Sequence, residues 1–504
     1  MDADIRRTIV ELGGVEPLLN LCHTEDVELQ HEVLSTLCNL SLSGCIGEKH
    51  MGFIQTIGVK QLVSFLCSVD NTYRLFGALT LGNVASASIH HDAIMGNGAL
   101  KPLVNISDSS DLETQRAIAY ALCNLATTFT NRIPIVRKGG LIPIISLACS
   151  EDPDDMYVAV STLRGMASSP ELRVPIVEAG GLEPMLGCAV SPDIRIRREC
   201  AQCLNSLSLH ETNKLKIIDH EVTKKLIALC QEEDLEVSRF SCGALATLVE
   251  NIETHEKYLK ASRENFTYVY EVGQTEDPIL KREVCRLVSN ISGYQTCNKA
   301  IIGAYLHTLL ASSLPYSDTH VQRFACLGLM NICTLKPNRQ HVADAPGAIK
   351  GLQVLAGAED PETRRYAILA AGNLAYTFDF HDQMLEADIL TPLVLGLTAQ
   401  WYQEVMEDDW ARGGAGLEDT KTVDEQIEIE NQKRYVCTGW CRFVIAVLTS
   451  SQIHSPTAVT TTHTYTHMHT YTYAYNSLHA CILLQGGGGR QATAATRRRA
   501  LKRG

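Results

Sequence analysis

The sequence predicts an all-α fold in which similar helical units follow one another along the chain. The chain has 504 residues, too many for one compact core, which leaves several globular domains or an elongated repeat protein. A helix with the same ending returns at steps of 41 to 44 residues, and a Gly-Gly turn followed by proline precedes it in several places. This period is typical of α-α solenoids. We therefore expect about nine repeats and a partial tenth.

The recurring helix is clearest at residues 114–126, TQRAIAYALCNLA. Its apolar positions follow the i, i+3, i+4, i+7, i+8 spacing that turns one face of an α-helix toward a core. These positions are Ala117, Ile118, Ala121, Leu122 and Leu125. Arg116, Tyr120 and Asn124 are four residues apart, so the spacing places them together on a different face.

The ends of the recurring helices align in one register. Six of them carry asparagine, at Asn39, Asn83, Asn124, Asn290, Asn331 and Asn373. The three middle repeats have Gly165, Ser206 and Thr247 instead. The register therefore predicts two groups of asparagines separated by a gap.

A second pattern precedes the long helix, as in IVELGGVEPLL, IVRKGGLIPII and IVEAGGLEPML. The pattern predicts a short helix that stops where Gly14, Gly140 or Gly181 takes the left-handed conformation. The prolines Pro17, Pro143 and Pro184 then fall in the first turn of the next helix, where no amide donor is needed. Each repeat is thus a short helix, a sharp turn, a second helix, a loop and a long third helix.

The glycine turn and the Asn-Leu-Ala ending together resemble the armadillo repeat over residues 1–400. The period alone would also fit HEAT repeats. The resemblance implies a right-handed armadillo-repeat superhelix, with the third helices lining a concave groove. Among subfamilies, the regular glycine turns look most like vacuolar armadillo adaptors and catenin-like repeats.

The end of the chain departs from this pattern. Repeat 7 has SRENFTYVY in place of the glycine turn, and a tenth repeat begins at residues 384–397 without a third helix after it. Residues 401–435 are acidic and irregular, and we expect a linker. Residues 436–504 hold a short apolar segment, at 437–448, that could cap the solenoid, and a low-complexity tail typical of translated non-coding DNA.

The aligned asparagines are the first candidate binding residues. In the catenin and importin-α type of armadillo protein, the matching asparagines bind the backbone of an extended peptide, and an amide offers both a donor and an acceptor for this. The alternative is that these side chains only satisfy carbonyls at helix ends. The groove interpretation predicts two binding patches, Asn39, Asn83 and Asn124 in one and Asn290, Asn331 and Asn373 in the other.

An arginine stands eight residues before the helix end in six of the nine repeats. These are Arg116, Arg198, Arg239, Arg282, Arg323 and Arg365. A column of guanidinium groups beside the asparagines would suit an extended acidic segment, through charge-assisted hydrogen bonds. The alternative is structural, with the arginines paired to loop acids such as Asp111, Glu113, Glu236 or Glu362.

The position four residues before the helix end separates functions within the family. In importin-α repeats it is largely tryptophan, whereas no repeat has tryptophan there in this chain, and Tyr120 and Arg286 occupy it in repeats 3 and 7. The sequence therefore favours an adaptor or scaffold that binds other proteins. An importin-α-like nuclear transport receptor is the alternative.

The sequence gives little support to other classes of protein, such as enzymes, metal-binding proteins, nucleic-acid coat proteins and membrane proteins. We find no catalytic signature, no cofactor motif and no metal site, since Cys200 and Cys203 have CxxC spacing without a second pair. The formal net charge of −13 argues against a nucleic-acid coat, and no apolar run is long enough for membrane insertion. Cysteines such as Cys38, Cys123 and Cys326 are expected to be reduced core residues of a cytoplasmic or nuclear protein.

Overall fold

The computed structural model describes residues 3–42, 57–219, 221–263, 265–375, 377 and 381–386. Every regular element in these ranges is helical, and the helices form a solenoid of three-helix repeats, as the sequence predicts. The chain divides into two compact units, Met1–Asn265 and Phe266–Gly504. None of the helices in the described ranges is long and apolar enough to cross a membrane.

The third helix of each repeat is the longest, and it defines the repeats numbered 1 to 9. In the first unit the third helices are Val27–Leu40, Asn71–Ala85, Leu112–Ala126, Pro153–Ala167, Ile194–Ser208 and Leu235–Leu248. In the second unit they are Pro278–Ser292, Thr319–Thr334 and Pro361–Ala375. Within each unit, the third helices of successive repeats pack side by side.

The shorter first and second helices complete the repeats. The described first helices are Ala3–Glu11, His91–Gly96 after a 3₁₀ turn at Ser88–His90, Phe129–Arg137, Pro170–Glu178, Glu211–Asp219, Ile252–Ala261, Asn298–Gly303 after a 3₁₀ turn at Gln295–Cys297, Lys336–Ala343 and His381–Glu386. The second helices are Val15–Leu21, Val59–Leu66, Leu100–Asn105, Leu141–Ala148, Glu183–Cys188, Val222–Leu229, Thr267–Val272, Leu306–Ser313 and Ala348–Leu355.

An aspartate sets the start of each third helix. In repeats 1 to 8 its side chain accepts a hydrogen bond from a backbone amide of the first turn, which satisfies one of the free donors there. These N-cap residues are Asp26, Asp70, Asp111, Asp152, Asp193, Asp234, Asp277 and Asp318. Asp360 does the same in repeat 9, where it accepts from the amide of Thr363 at 2.8 Å.

The glycine turn forms as predicted, but the roles of its two glycines are reversed. The left-handed residues are Gly13, Gly139 and Gly180, with φ of 78°, 93° and 89°. The predicted positions, Gly14, Gly140 and Gly181, are instead closely packed. A Cβ at Gly140 would lie 2.5 Å from Cγ2 of Ile135. The first glycine supplies the backbone conformation, and the second allows the turn to close on the preceding helix.

The core is built from the predicted helix faces. Ala117, Ile118, Ala121, Leu122 and Leu125 are each at most 3% exposed. The predicted core cysteines Cys38, Cys123 and Cys326 are buried as free thiols, and so are Cys200 and Cys203. Burial raises the pKa of the Cys123 thiol to about 12, so it stays protonated and packs as a small apolar residue.

Several predictions concern residues outside the described ranges. They are the greater part of the tenth repeat, the linker at 401–435, and the apolar segment and tail at 436–504. The domain boundary at residue 400 therefore stays a prediction.

Candidate functional site

The aligned asparagines form a ladder of hydrogen bonds between neighbouring third helices. In the first unit, Nδ2 of Asn83 donates to the Cys38 carbonyl at 3.4 Å, and Nδ2 of Asn124 donates to the Gly82 carbonyl at 2.9 Å. In every case the acceptor is the backbone carbonyl of the residue that comes just before the aligned asparagine of the preceding repeat. The amide thus joins successive repeats and satisfies a carbonyl near a helix end.

The second unit repeats this geometry. Nδ2 of Asn331 donates to the Ser289 carbonyl, and Nδ2 of Asn373 donates to the Met330 carbonyl, each at 3.2 Å. Serine hydroxyl groups assist in both units, because Asn83 also donates to Oγ of Ser41 at 2.9 Å. Asn331 does the same to Oγ of Ser292 at 3.2 Å.

The side-chain oxygen atoms of four of these asparagines remain available as hydrogen-bond acceptors. Within the described residues, no hydrogen bond is made to Oδ1 of Asn83, Asn124, Asn331 or Asn373, and all four are half-buried. Asn39 is exposed and has no third helix before it in the described ranges, while Asn290 is half-buried. A free Oδ1 on a fixed amide is an acceptor suited to the N–H of another backbone.

The ladder is interrupted in repeats 4 to 6, as the sequence predicts. Gly165 has no side chain, and Thr247 is 2% exposed and donates its hydroxyl to the Gly243 carbonyl of its own helix at 2.9 Å. The predicted patch Asn39, Asn83 and Asn124 lies in the first unit. The predicted patch Asn290, Asn331 and Asn373 lies in the second.

The arginine column pairs with carboxylates of the following repeat. Nη2 of the arginine lies 2.6 to 2.8 Å from the aspartate that caps the next third helix. The pairs are Arg116–Asp152, Arg198–Asp234, Arg282–Asp318 and Arg323–Asp360. Two acids named in the structural alternative also take part, since Arg198 lies 3.3 Å from Glu236 and Arg323 lies 2.8 Å from Glu362.

The link between repeats 3 and 4 contains two further side chains, those of Tyr120 and Asp155. Nε of Arg116 and the hydroxyl of Tyr120 each donate to Oδ1 of Asp155 at 2.8 Å. The guanidinium carbon of Arg116 lies 5.9 Å from the centre of the Tyr120 ring. Burial and the negative charge of Asp155 raise the pKa of Tyr120 to about 12, so its hydroxyl is a permanent donor to that carboxylate.

Paired carboxylates are held in their charged form. Burial opposes ionisation of Asp360, but hydrogen bonds from Arg323 and Thr363 outweigh it and lower the pKa to about 2. The Arg198 guanidinium likewise lowers the pKa of Asp234. These ion pairs are therefore intact at neutral pH, and they offset much of the positive charge that the arginines would otherwise present.

The other predicted arginines have different surroundings. Arg286 pairs with Glu283 of its own helix at 2.7 Å, and Arg239 is half-buried in repeat 6. Arg365 is exposed and has no ion pair within the described part of the chain. The predicted residues thus lie on the third helices in register, but most of the guanidinium groups are engaged in links between repeats.

The partners of these arginines could have been found in the sequence. The capping aspartates follow the arginines after 36 or 37 residues, and the aspartates themselves recur at the period of the repeats. Sequence reasoning treated the loop acids as scattered alternatives and did not align them. The recurrence of aspartate at the start of each third helix is the signal that it missed.

The described residues contain no cluster of three or more His, Cys, Asp or Glu side chains arranged to bind a metal ion. Cys200 and Cys203 are fully buried on the third helix of repeat 5. Burial raises the pKa of the Cys203 thiol to about 12, which leaves it protonated and unsuited to ligation.

Comparison with known proteins agrees with this architecture. The family model "Armadillo/beta-catenin-like repeat" matches residues 2–42 and 92–127. The chain resembles an engineered protein solved by the Northeast Structural Genomics Consortium, with 26% identity and a TM-score of 0.60 over 77% of this chain and 95% of that chain. A designed armadillo repeat protein has 19% identity and a TM-score of 0.44 over 46% of this chain and 99% of that chain. None of the curated proteins compared with the chain is significantly similar to it. The three-helix repeats and the two matched segments together show that the described part of the chain folds as an all-helical armadillo-repeat solenoid.

Proposed function

We propose that the chain is a non-catalytic scaffold or adaptor that binds extended segments of other proteins along its third helices. Armadillo repeats are in general protein-binding modules. The observation that carries the proposal is the asparagine ladder. The amides of four of its members are fixed through Nδ2, while their Oδ1 atoms accept no hydrogen bond within the described residues; these are Asn83, Asn124, Asn331 and Asn373.

The spacing of the ladder suits an extended partner. Neighbouring packed helices lie about 8 to 10 Å apart, and an extended chain advances about 3.3 Å per residue. Each repeat therefore meets roughly three residues of a bound segment, and a row of Oδ1 atoms can accept from its amides at regular intervals. Affinity would arise from many weak backbone contacts added together.

The preference for acidic segments is a narrower part of the proposal. Arg116, Arg198, Arg282 and Arg323 already face carboxylates, so an acidic ligand would have to compete with them. Arg365 has no such competitor among the described residues. We therefore assign the acidic preference of the second patch to Arg365, with backbone contacts to Asn331 and Asn373 beside it.

A peptide-display selection on the full chain tests the proposal, because it assumes no partner. Matched acidic and basic versions of the selected peptides are then titrated by fluorescence anisotropy. We expect acidic peptides to bind more tightly and the difference to shrink in Arg365→Gln. Preferential binding of basic peptides would contradict the proposal and favour a nuclear transport receptor.

A further inference from the structure

The gap in the ladder at Gly165 is filled from another helix. If Gly165 carried a Cβ, the nearest atoms of other helices in the described ranges would be Nη2 and Cζ of Arg132, at 3.5 and 3.8 Å. Arg132 belongs to the first helix of repeat 4, Phe129–Arg137. A guanidinium group therefore lies where the preceding repeat places the side-chain amide of Asn124.

Hydrogen bonds to backbone carbonyls fix this guanidinium group. Nε donates to the Ala126 carbonyl at 3.0 Å, and Nη1 donates to the Gly165 carbonyl at 2.6 Å and to Oγ of Ser168 at 3.2 Å. Its plane also packs on Phe129, 5.4 Å from the ring centre. The group thus joins the ends of two successive third helices, Leu112–Ala126 and Pro153–Ala167.

Arg132 differs from the arginine column because no carboxylate pairs with it in the described ranges. Its Nη2 has no hydrogen-bond partner there. Burial and the nearby positive charge of Arg164 lower the pKa of Arg132, so the guanidinium lies close to a second cation. Arg164 is 40% exposed, and its Nε donates to Glu199.

A structural role explains only part of this arrangement. Cations near the end of a helix are favourable, because they face free carbonyls and the negative end of the helix dipole. Arg173, at the equivalent place in the next repeat, does this through Nε, which donates to the Ala167 carbonyl at 3.1 Å. Capping of a helix end does not require a glycine at position 165. It also does not require Nη2 of Arg132 to lie in the space that an asparagine side chain would occupy there.

We propose that the space above Gly165, against Nη2 of Arg132, is a binding subsite for an oxyanion carried on the side chain of a bound protein segment. Phosphate on serine or threonine and the carboxylate of Glu share the chemistry that this subsite recognises. Nη2 of Arg132 donates to one oxygen of the anion, whereas the charge of Arg164 is already paired with Glu199. The repeat without a ladder asparagine thus recognises a side chain of the bound segment, while the repeats with these asparagines bind the backbone of that segment. This assignment of a ligand class rests on the proposed function.

Inorganic phosphate provides a test that needs no peptide. Phosphate is titrated into the full chain, and the NMR signals of the Arg132 side-chain Nε–H and the Gly165 amide are followed at constant ionic strength. We expect saturable shifts of both signals in the wild type. The Gly165 amide should no longer shift in Arg132→Gln, and the Arg132 Nε–H should no longer shift in Gly165→Asn, which fills the space with an amide. Arg173→Gln removes an equivalent cation from the next repeat and should leave the shifts unchanged.

Three peptides with the same flanking residues and a central Ser, Glu or phosphoserine distinguish the sources of the anion. We expect about a tenfold gain in affinity over serine for the preferred anion, which is the size of one charge-assisted hydrogen bond, and loss of this gain in Gly165→Asn. Shifts without peptide binding would support the subsite and contradict the proposed function. Peptide binding with no phosphate shifts, or shifts that persist in both variants, would overturn the subsite.

Discussion

An arginine on a third helix can either stabilise the contact between two repeats or bind a partner protein. The contacts that it makes within the chain distinguish these two roles. The guanidinium of Arg323 lies 2.7 Å from Asp360 and 2.8 Å from Glu362, both in the next repeat. The exposed Arg365 has no such pair in the described residues. We therefore expect Arg323 to contribute mainly to stability and Arg365 mainly to binding.

Replacing Arg323 by Gln removes an ion pair between repeats 8 and 9. We expect the free energy of unfolding to fall by about 1 kcal/mol, because the pair is partly exposed and a partly screened ion pair contributes little more. Arg365→Gln should change it by less than about 0.5 kcal/mol. Urea unfolding of the full chain, followed by circular dichroism, measures both. Equal losses in the two variants would contradict the assignment.

The low pKa of Asp360 predicts how stability depends on pH. Its carboxyl has a pKa of about 2 in the folded chain, below its value in an unfolded chain, so the ionised form stabilises the fold. This contribution is complete above about pH 5 and is lost as pH falls from about 4 toward 2. Asp360→Asn keeps an N-cap residue but removes the charge.

We expect the difference in urea midpoint between the wild type and Asp360→Asn to be constant from pH 7 to 5 and to shrink below pH 4. Asp26→Asn is the matched control, because Asp26 also caps a third helix through a backbone amide but has no ion pair within the described residues. A difference that stays constant down to pH 2.5 would show that the charge of Asp360 does not contribute.

At the scale of the helical element, the glycine turn depends on two glycines for different reasons. Gly139→Ala would force a side chain into a backbone with φ of 93°, at a cost of about 1 kcal/mol. Gly140→Ala would bring a Cβ to 2.5 Å from Ile135, so we expect a loss of about 1 to 3 kcal/mol. Gly187→Ala, in a helix with nothing within 4 Å of the added Cβ, should be neutral or slightly stabilising. Thermal unfolding of the three variants checks this order.

The turn also illustrates what a sequence can predict and what it cannot. Period and apolar spacing predicted the helices, because both follow directly from helix geometry. The pattern could not decide which glycine of a pair is left-handed, since both can adopt that conformation. In repeats 7 and 8 the left-handed residues before the second helix are Arg263 and Tyr305, with φ of 55° and 57°. Nothing about these residue types predicts a left-handed conformation.

The candidate site was predictable to a similar extent. The register of the asparagines and arginines could be read from the sequence, because equivalent positions in a repeat face the same way. Whether Arg116 meets a ligand or Asp152 depends on a contact 36 residues away, which only the packing of neighbouring repeats determines. Arg132 was missed because its guanidinium reaches the ladder from a first helix.

At the scale of the whole molecule, each repeat buries its apolar face only on its neighbours, so contacts between repeats carry both stability and the register of the site. Ladder amides such as those of Asn124 and Asn373 can do both, since Nδ2 joins repeats while Oδ1 accepts no hydrogen bond in the described ranges. Any test of binding must therefore separate lost affinity from lost stability. Other asparagines of the chain make that separation possible.

Asn131 and Asn213 are matched controls for the first unit. Each is buried in a first helix, and its Nδ2 donates to a third-helix carbonyl, that of Leu125 or Leu207, at 3.1 Å. Asn338 makes the corresponding hydrogen bond to the Ile332 carbonyl in the second unit, at 3.4 Å. Replacing Asn131 by alanine removes a hydrogen bond of the same kind without changing the ladder. The same change at Asn213 or Asn338 also removes a second hydrogen bond, to the Arg173 carbonyl at 2.9 Å or to Oδ1 of Asn298 at 3.0 Å.

The central claim is that the asparagine ladder binds extended segments of other proteins. The most direct measurement is the affinity of one display-selected peptide for the wild type, the two ladder variants and the control variants, all confirmed as folded by circular dichroism. The ladder variants replace Asn39, Asn83 and Asn124, or Asn290, Asn331 and Asn373, by alanine. We predict at least about a tenfold loss of affinity in one ladder variant and unchanged affinity in Asn131→Ala, Asn213→Ala and Asn338→Ala. Equal affinity of the wild type and both ladder variants would contradict the claim.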